Sequence, residues 1–99
     1  EQALGMTMPG ASVRLLHSAG LHARPVVTLT KLAKTFASRI QIAAHADGPW
    51  IDAKSVVKVM GMKTPSDTQL YFQADGVDAD AALSALVKLV SDDFQGGPA

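Results

Sequence analysis

Ser18-Ala19-Gly20-Leu21-His22-Ala23-Arg24-Pro25 sets a histidine and an arginine two positions apart, with proline directly behind them. A helical apolar period starts at once, through Val26, Leu29, Leu32 or Ala33, and Phe36. Proline is favoured in a first helical turn, where its missing N–H would have no partner anyway. The stretch therefore predicts a helix from Ala23, with His22 at or just before its N-terminus. The free N–H groups and positive dipole end of a helix start together bind anions. An imidazole there can act as a nucleophile whose anionic adduct is met by the backbone amides of Ala23 and Arg24. The pattern points to a histidine that carries a phosphoryl group, with Arg24 pairing to phosphate through its planar fork. Gly20 permits a close backbone approach ahead of the helix, and Pro25 stiffens it.

Outward from this stretch the chain alternates between two periods. Ser12 to His17 reads as a strand with Val13 and Leu15 on one face. The first helix runs from Ala23 to about Phe36. Ser38 to Ala44 alternates Ile40, Ile42 and Ala44 against Arg39 and Gln41. Ala46-Asp47-Gly48-Pro49 is turn chemistry, and Trp50 to Ala53 returns as the second half of a hairpin. Ser55 to Met62 is a short apolar helix, broken by Thr64-Pro65-Ser66-Asp67. Thr68 to Ala74 is a fourth strand. Asp75-Gly76 turns the chain, and Asp78 is placed to cap a last helix through Phe94. The apolar stripe of that helix is Ala79, Ala82, Leu83, Leu86, Leu89 and Val90. Four amphipathic strands must cover one face, so the order predicts an α+β domain with helices layered on one side of a sheet. Strand order is left open by the pattern.

Composition narrows the function classes. Ninety-nine residues make one domain, read as a core domain over 12–94 with an N-terminal arm or linker over 1–11 and a tail or linker over 95–99. Nine basic residues balance nine acidic ones, so bulk charge gives no reason to expect nucleic acid. There is no cysteine, which removes disulfides and thiolate chemistry. No apolar run approaches the roughly 18 residues of a membrane span. The first residue is Glu, and the arm points to a domain within a multidomain protein. A monomer in the cytoplasm is expected.

The GLHARP string centred on His22 resembles the active-site motif of HPr, the histidine-containing phosphocarrier of the bacterial sugar phosphotransferase system. Ala53-Lys54-Ser55 falls where that family carries a serine opening a short helix. Ala74-Asp75-Gly76 and the amphipathic stretch behind it resemble the family's last strand, turn and helix. The resemblance covers about residues 12 to 94. It implies an open-faced β-sandwich of βαββαβα order, with a four-stranded antiparallel sheet under three helices. It implies phosphorylation of His22 by phospho-enzyme I, charged from phosphoenolpyruvate. The group would pass to a histidine of an enzyme IIA-type or dihydroxyacetone-kinase phosphotransferase domain. Such a chain is a relay rather than an enzyme with its own turnover. The hairpin around His45 to Trp50 departs from the pattern by about two extra residues, which a loop tip absorbs. Ala19 departs from members with a polar residue there.

Other residues carry weaker signals. Ser55 reads first as an N-cap. In some members the matching serine is a regulatory phosphorylation site, although Lys58 departs from that form. Val56, Val59, Met60 and Met62 divide between core packing and an apolar patch beside His22. The resemblance implies that this helix and the first one dock enzyme I and the acceptor domains. Methionine suits a surface meeting several partners. His17 and His22 without a placed carboxylate fall short of a metal site, so no metal or cofactor is expected. His45 reads as a solvated turn residue and Trp50 as a packing residue. Two alternatives stay open. One is a regulatory module of the same fold whose phosphorylation state signals carbon supply. The other is an acylphosphatase-like hydrolase, for which no second polar constellation is in place to activate water.

Overall fold

The computed structural model describes residues 9–16, 20–21 and 23–94. Seven elements follow in the order βαββαβα: β1 Gly10–Leu15, α1 Ala23–Lys34, β2 Arg39–Ala43, β3 Ile51–Asp52, α2 Val56–Gly61, β4 Thr68–Asp75 and α3 Ala79–Ser91. The strands form one antiparallel sheet in the order β1-β4-β2-β3. β4 is the longest strand and sits inside, paired along β1 from Gly10↔Gln73 to Leu15↔Thr68 and along β2 from Arg39↔Asp75 to Ala43↔Tyr71.

The two-residue period of the strands decides which side the helices cover. Leu15, Ile40, Ile42, Leu70, Phe72 and Ala74 all point to the covered face and are buried. Burying each of the larger ones contributes about 1.5–3 kcal/mol. α3 lies over β1 and β4 with its whole predicted stripe buried, and α1 packs against both α2 and α3. The other face of the sheet is polar. There Gln73 Nε2 donates to Gln41 Oε1 at 2.8 Å.

Several boundaries differ from the sequence reading, and the largest difference is at α3, which ends at Ser91 rather than Phe94. β1 begins at Gly10, because Gly10 and Ala11 continue the ladder opposite Gln73 and Phe72. α1 ends at Lys34, two residues before Phe36, where the chain turns towards β2. Asp78 also acts differently from its expected capping role. It sits at the N-cap of α3 but its side chain makes no cap hydrogen bond. Its carboxylate reaches instead to the α1–β2 connection, accepting from Ala37 N at 2.8 Å, Ser38 N at 2.9 Å and the Ser38 hydroxyl. Gly76 lets this corner close. It has φ +152°, and a Cβ there would stand 2.5 Å from Ser38 Oγ.

The Ser38 hydroxyl, with the two backbone N–H groups, holds the Asp78 carboxyl below its ordinary value against a smaller opposing effect of burial. A carboxyl depressed by folding stabilises the native state above its unfolded pKa, and that contribution fades as pH falls through the folded pKa. Asp78→Asn is therefore expected to lower stability near neutral pH, and the gap from wild type should narrow steadily below the ordinary carboxylate range. Urea melts across an acid pH series check this. A gap independent of pH would show that the carboxylate charge is not what holds the corner.

Candidate active site

His22 lies outside the described residues, as do His17 and Ala19; the flanks of His22 are described on both sides. Ala23 opens α1 directly after it, and Arg24 and Pro25 complete the start of the first turn. Pro25 is buried and Arg24 exposed, so the proline locks this end into the fold while the guanidinium faces solvent. The first turn of α1 carries no acidic residue, whereas α3 has Asp80 in its own. The positive end of the α1 dipole thus meets no carboxylate of its own turn, and it favours an external anion.

On the N-terminal side the backbone is pinned. Gly20 is buried at φ +72°, a conformation that side chains of L-residues resist. Leu21 is buried in the core, and its N–H donates to the Thr64 carbonyl at 2.9 Å. The same turn holds the end of β1, since Asp67 N donates to Leu15 O at 2.7 Å. Arg14 Nη1 reaches Asp67 as well, to its carbonyl at 3.0 Å and its carboxylate at 3.2 Å. Residues 64–67 therefore grip the chain at Leu15 and again at Leu21, one position before His22. The sequence reading took Thr64-Pro65-Ser66-Asp67 only as a helix breaker. Nothing local in these residues signals a contact made more than forty positions away.

α2 packs beside α1 and is capped as expected: the Ser55 hydroxyl accepts from Lys58 N at 3.2 Å. Of the four apolar residues offered as partner contacts, Val59 is 0% exposed and belongs to the core, so it is withdrawn from that surface. Val56 and Met62 are half-buried against the core. Met60 is 39% exposed, and Val57, which the sequence reading passed over, is 81% exposed. Helical geometry explains the division: Val56 and Val59 are one turn apart on the inward face, and Val57 is turned about 100° from Val56. Val27 on α1 and Leu16 after β1 are further exposed apolar residues.

Two cavities, of about 350 and 340 Å³, lie away from this helix start. The first is lined by residues 37–41 with Asp52 and Lys54, at the opposite end of α1. Among the described residues no three His, Cys, Asp or Glu side chains gather as a metal site would require. The start of α1, with no acidic residue in its first turn, favours an external anion.

Comparison with known proteins agrees with that geometry. A family model described as the PTS HPr component phosphorylation site matches residues 11–92. The phosphocarrier protein HPr of Treponema pallidum is 36% identical over 84 residues, covering 85% of this chain and 93% of that protein. The multiphosphoryl transfer protein of Vibrio cholerae is 44% identical over 77 residues, covering 77% of this chain but 19% of that longer protein. Among solved structures, HPr-C-His from Thermoanaerobacter tengcongensis superposes with a TM-score of 0.80 at 29% identity, covering 88% of this chain and 96% of that one. With its sheet order, its three covering helices and the histidine motif opening α1, the chain belongs to the HPr family of phosphotransferase-system phosphocarriers.

Proposed function

We propose that His22 is the phosphoryl acceptor, charged by phospho-enzyme I and discharged to a histidine of an enzyme IIA-type or dihydroxyacetone-kinase phosphotransferase domain. The observation that carries this reading is the start of α1 immediately after His22, with Arg24 exposed and no acidic residue in the first turn. In each transfer the lone pair of the accepting imidazole forms an N–P bond. The donor's N–P bond breaks, and its electron pair returns to the donor ring. Neutral imidazole serves as nucleophile and as leaving group, so the exchange is close to symmetrical and reversible. Backbone N–H groups of Ala23 and Arg24 meet the phosphoryl oxygens, and the Arg24 guanidinium offsets their charge during passage. Dipole interactions of about 0.3–1 kcal/mol tune the group's stability without trapping it.

Docking to both partners uses α1 and α2. Val57 and Met60 supply the exposed apolar contacts, with Val56 and Met62 supporting them from below. Phosphate on Ser55 would add charge to this same face between Lys54 and Lys58 and would replace the hydroxyl cap. It would therefore act on partner choice rather than on His22. No described helix is long and apolar enough to cross a membrane. Cytoplasmic residence is part of the proposal, because that is where phosphoenolpyruvate and enzyme I meet the carrier.

Incubation with phosphoenolpyruvate and enzyme I, followed by intact mass, tests the reading. One acid-labile phosphoryl group is expected. A folded protein that gains nothing from the enzyme I of its own organism would overturn it.

A further inference from the structure

Among the described residues the Thr64 hydroxyl is the buried side-chain polar atom left without a hydrogen-bond partner. The other described threonines differ. Thr28, Thr30, Thr35 and Thr68 each donate to a backbone carbonyl, at 2.7–3.1 Å. Thr64 is 4% exposed, so bulk solvent has little access to it. A buried hydroxyl without a partner is destabilising, and an apolar group of the same shape would serve the resting protein better.

Its position gives the orphan a meaning. The carbonyl of the same residue holds Leu21 N–H, one peptide before His22. Gly20 lies against the Thr64–Pro65 backbone, where a Cβ would come within 2.5 Å of Thr64 O. Any adjustment of the Gly20–Leu21 backbone as a phosphoryl dianion is attached to His22 must therefore be accommodated at Thr64. We infer that Thr64 is a positioning residue of the carrier: its hydroxyl takes a hydrogen-bond partner from the Gly20–Leu21 backbone when His22 is phosphorylated, and so favours the charged form. An interaction made in one state and absent in the other shifts the equilibrium between them. The unpaired hydroxyl of the resting state and the added bond of the charged state act in the same direction. This inference rests on His22 as the acceptor.

Thr64→Val separates the effects by sign. The uncharged variant is expected to melt higher than wild type by about 4–8 °C, as relief of one unpaired buried hydroxyl implies. Its phosphoryl-exchange equilibrium with phospho-enzyme I is expected to lie about tenfold less towards the charged form. Thr64→Ser, which keeps the hydroxyl, should restore the wild-type exchange ratio. The Leu21 amide resonance should move on charging in wild type and in Thr64→Ser by more than in Thr64→Val. Wild-type exchange in a stable Thr64→Val protein would overturn the role of Thr64 while leaving His22 as acceptor. A lower melting point for Thr64→Val would show the hydroxyl already paired, with the same consequence. If wild type takes no phosphoryl group at all, the acceptor reading and this inference both fall.

Discussion

His22→Ala is expected to abolish phosphoryl acceptance, taking the mass gain from one group to none. The loss is complete rather than partial because the imidazole supplies the only bond to phosphorus in the proposed step. Arg24 and the helix start stabilise charge but cannot form that bond. Arg24→Ala should therefore behave differently, slowing transfer by roughly 10–100-fold through loss of one charge-assisted contact while leaving the final yield unchanged. The chain has three histidines, so His17→Ala and His45→Ala make the comparison specific. Both should charge as wild type does. Acid lability adds a chemical check, since an N–P bond hydrolyses in acid that leaves a serine phosphate intact. A mass gain that survives His22→Ala but disappears in His17→Ala would move the acceptor by five positions and detach it from the start of α1.

The elements that the sequence made legible are those whose side chains repeat. The stripe of α3 from Ala79 to Val90 is buried as its spacing requires, and so are Leu70, Phe72 and Ala74 of β4. The histidine motif was legible because proline, a glycine and an apolar period fix a helix start locally. Sheet order was not, since the same four amphipathic strands could be laid side by side in several ways. The antiparallel register of β4 between β1 and β2 decides among them. Asp78 shows a second limit. Its place ahead of α3 suits a cap, and only the folded corner reveals that Ala37 and Ser38 offer better donors. On α2, six residues give too little periodicity to tell an inward valine from an outward one, so the buried Val59 is grouped with the surface contacts and the exposed Val57 is not. The grip of residues 64–67 on Leu15 and Leu21 is long-range in the same sense. It leaves no local mark beyond Gly20 itself.

That glycine supports the second large effect. Gly20→Ala is expected to destabilise the protein by about 2–5 kcal/mol, combining about 1–2 for a side chain held at positive φ with about 1–3 for steric overlap. The overlap is with backbone rather than with a mobile side chain: Thr64 O at 2.5 Å and the Pro65 backbone at 3.0 Å. A side chain could rotate away, but the Thr64 carbonyl is fixed by its bond to Leu21 N–H. Relief must come from moving one strand of backbone off the other, which breaks that bond and draws Leu21 out of the core. Against the 5–15 kcal/mol typical of a folded domain this is a large fraction, and Tm should fall by about 10 °C or more. Gly20→Asn divides the two causes. Asparagine tolerates the left-handed conformation better than alanine but carries the same Cβ. If contact with Thr64 dominates, Asn is as damaging as Ala; if the backbone conformation dominates, Asn recovers much of the loss. Either variant, studied below its melting temperature, should also charge more slowly than wild type, because the residue displaced by the new Cβ is joined directly to His22. A Gly20→Ala protein as stable as wild type would mean that residues 20–21 are not clamped on Thr64, and the route from Thr64 to His22 would be lost with that contact.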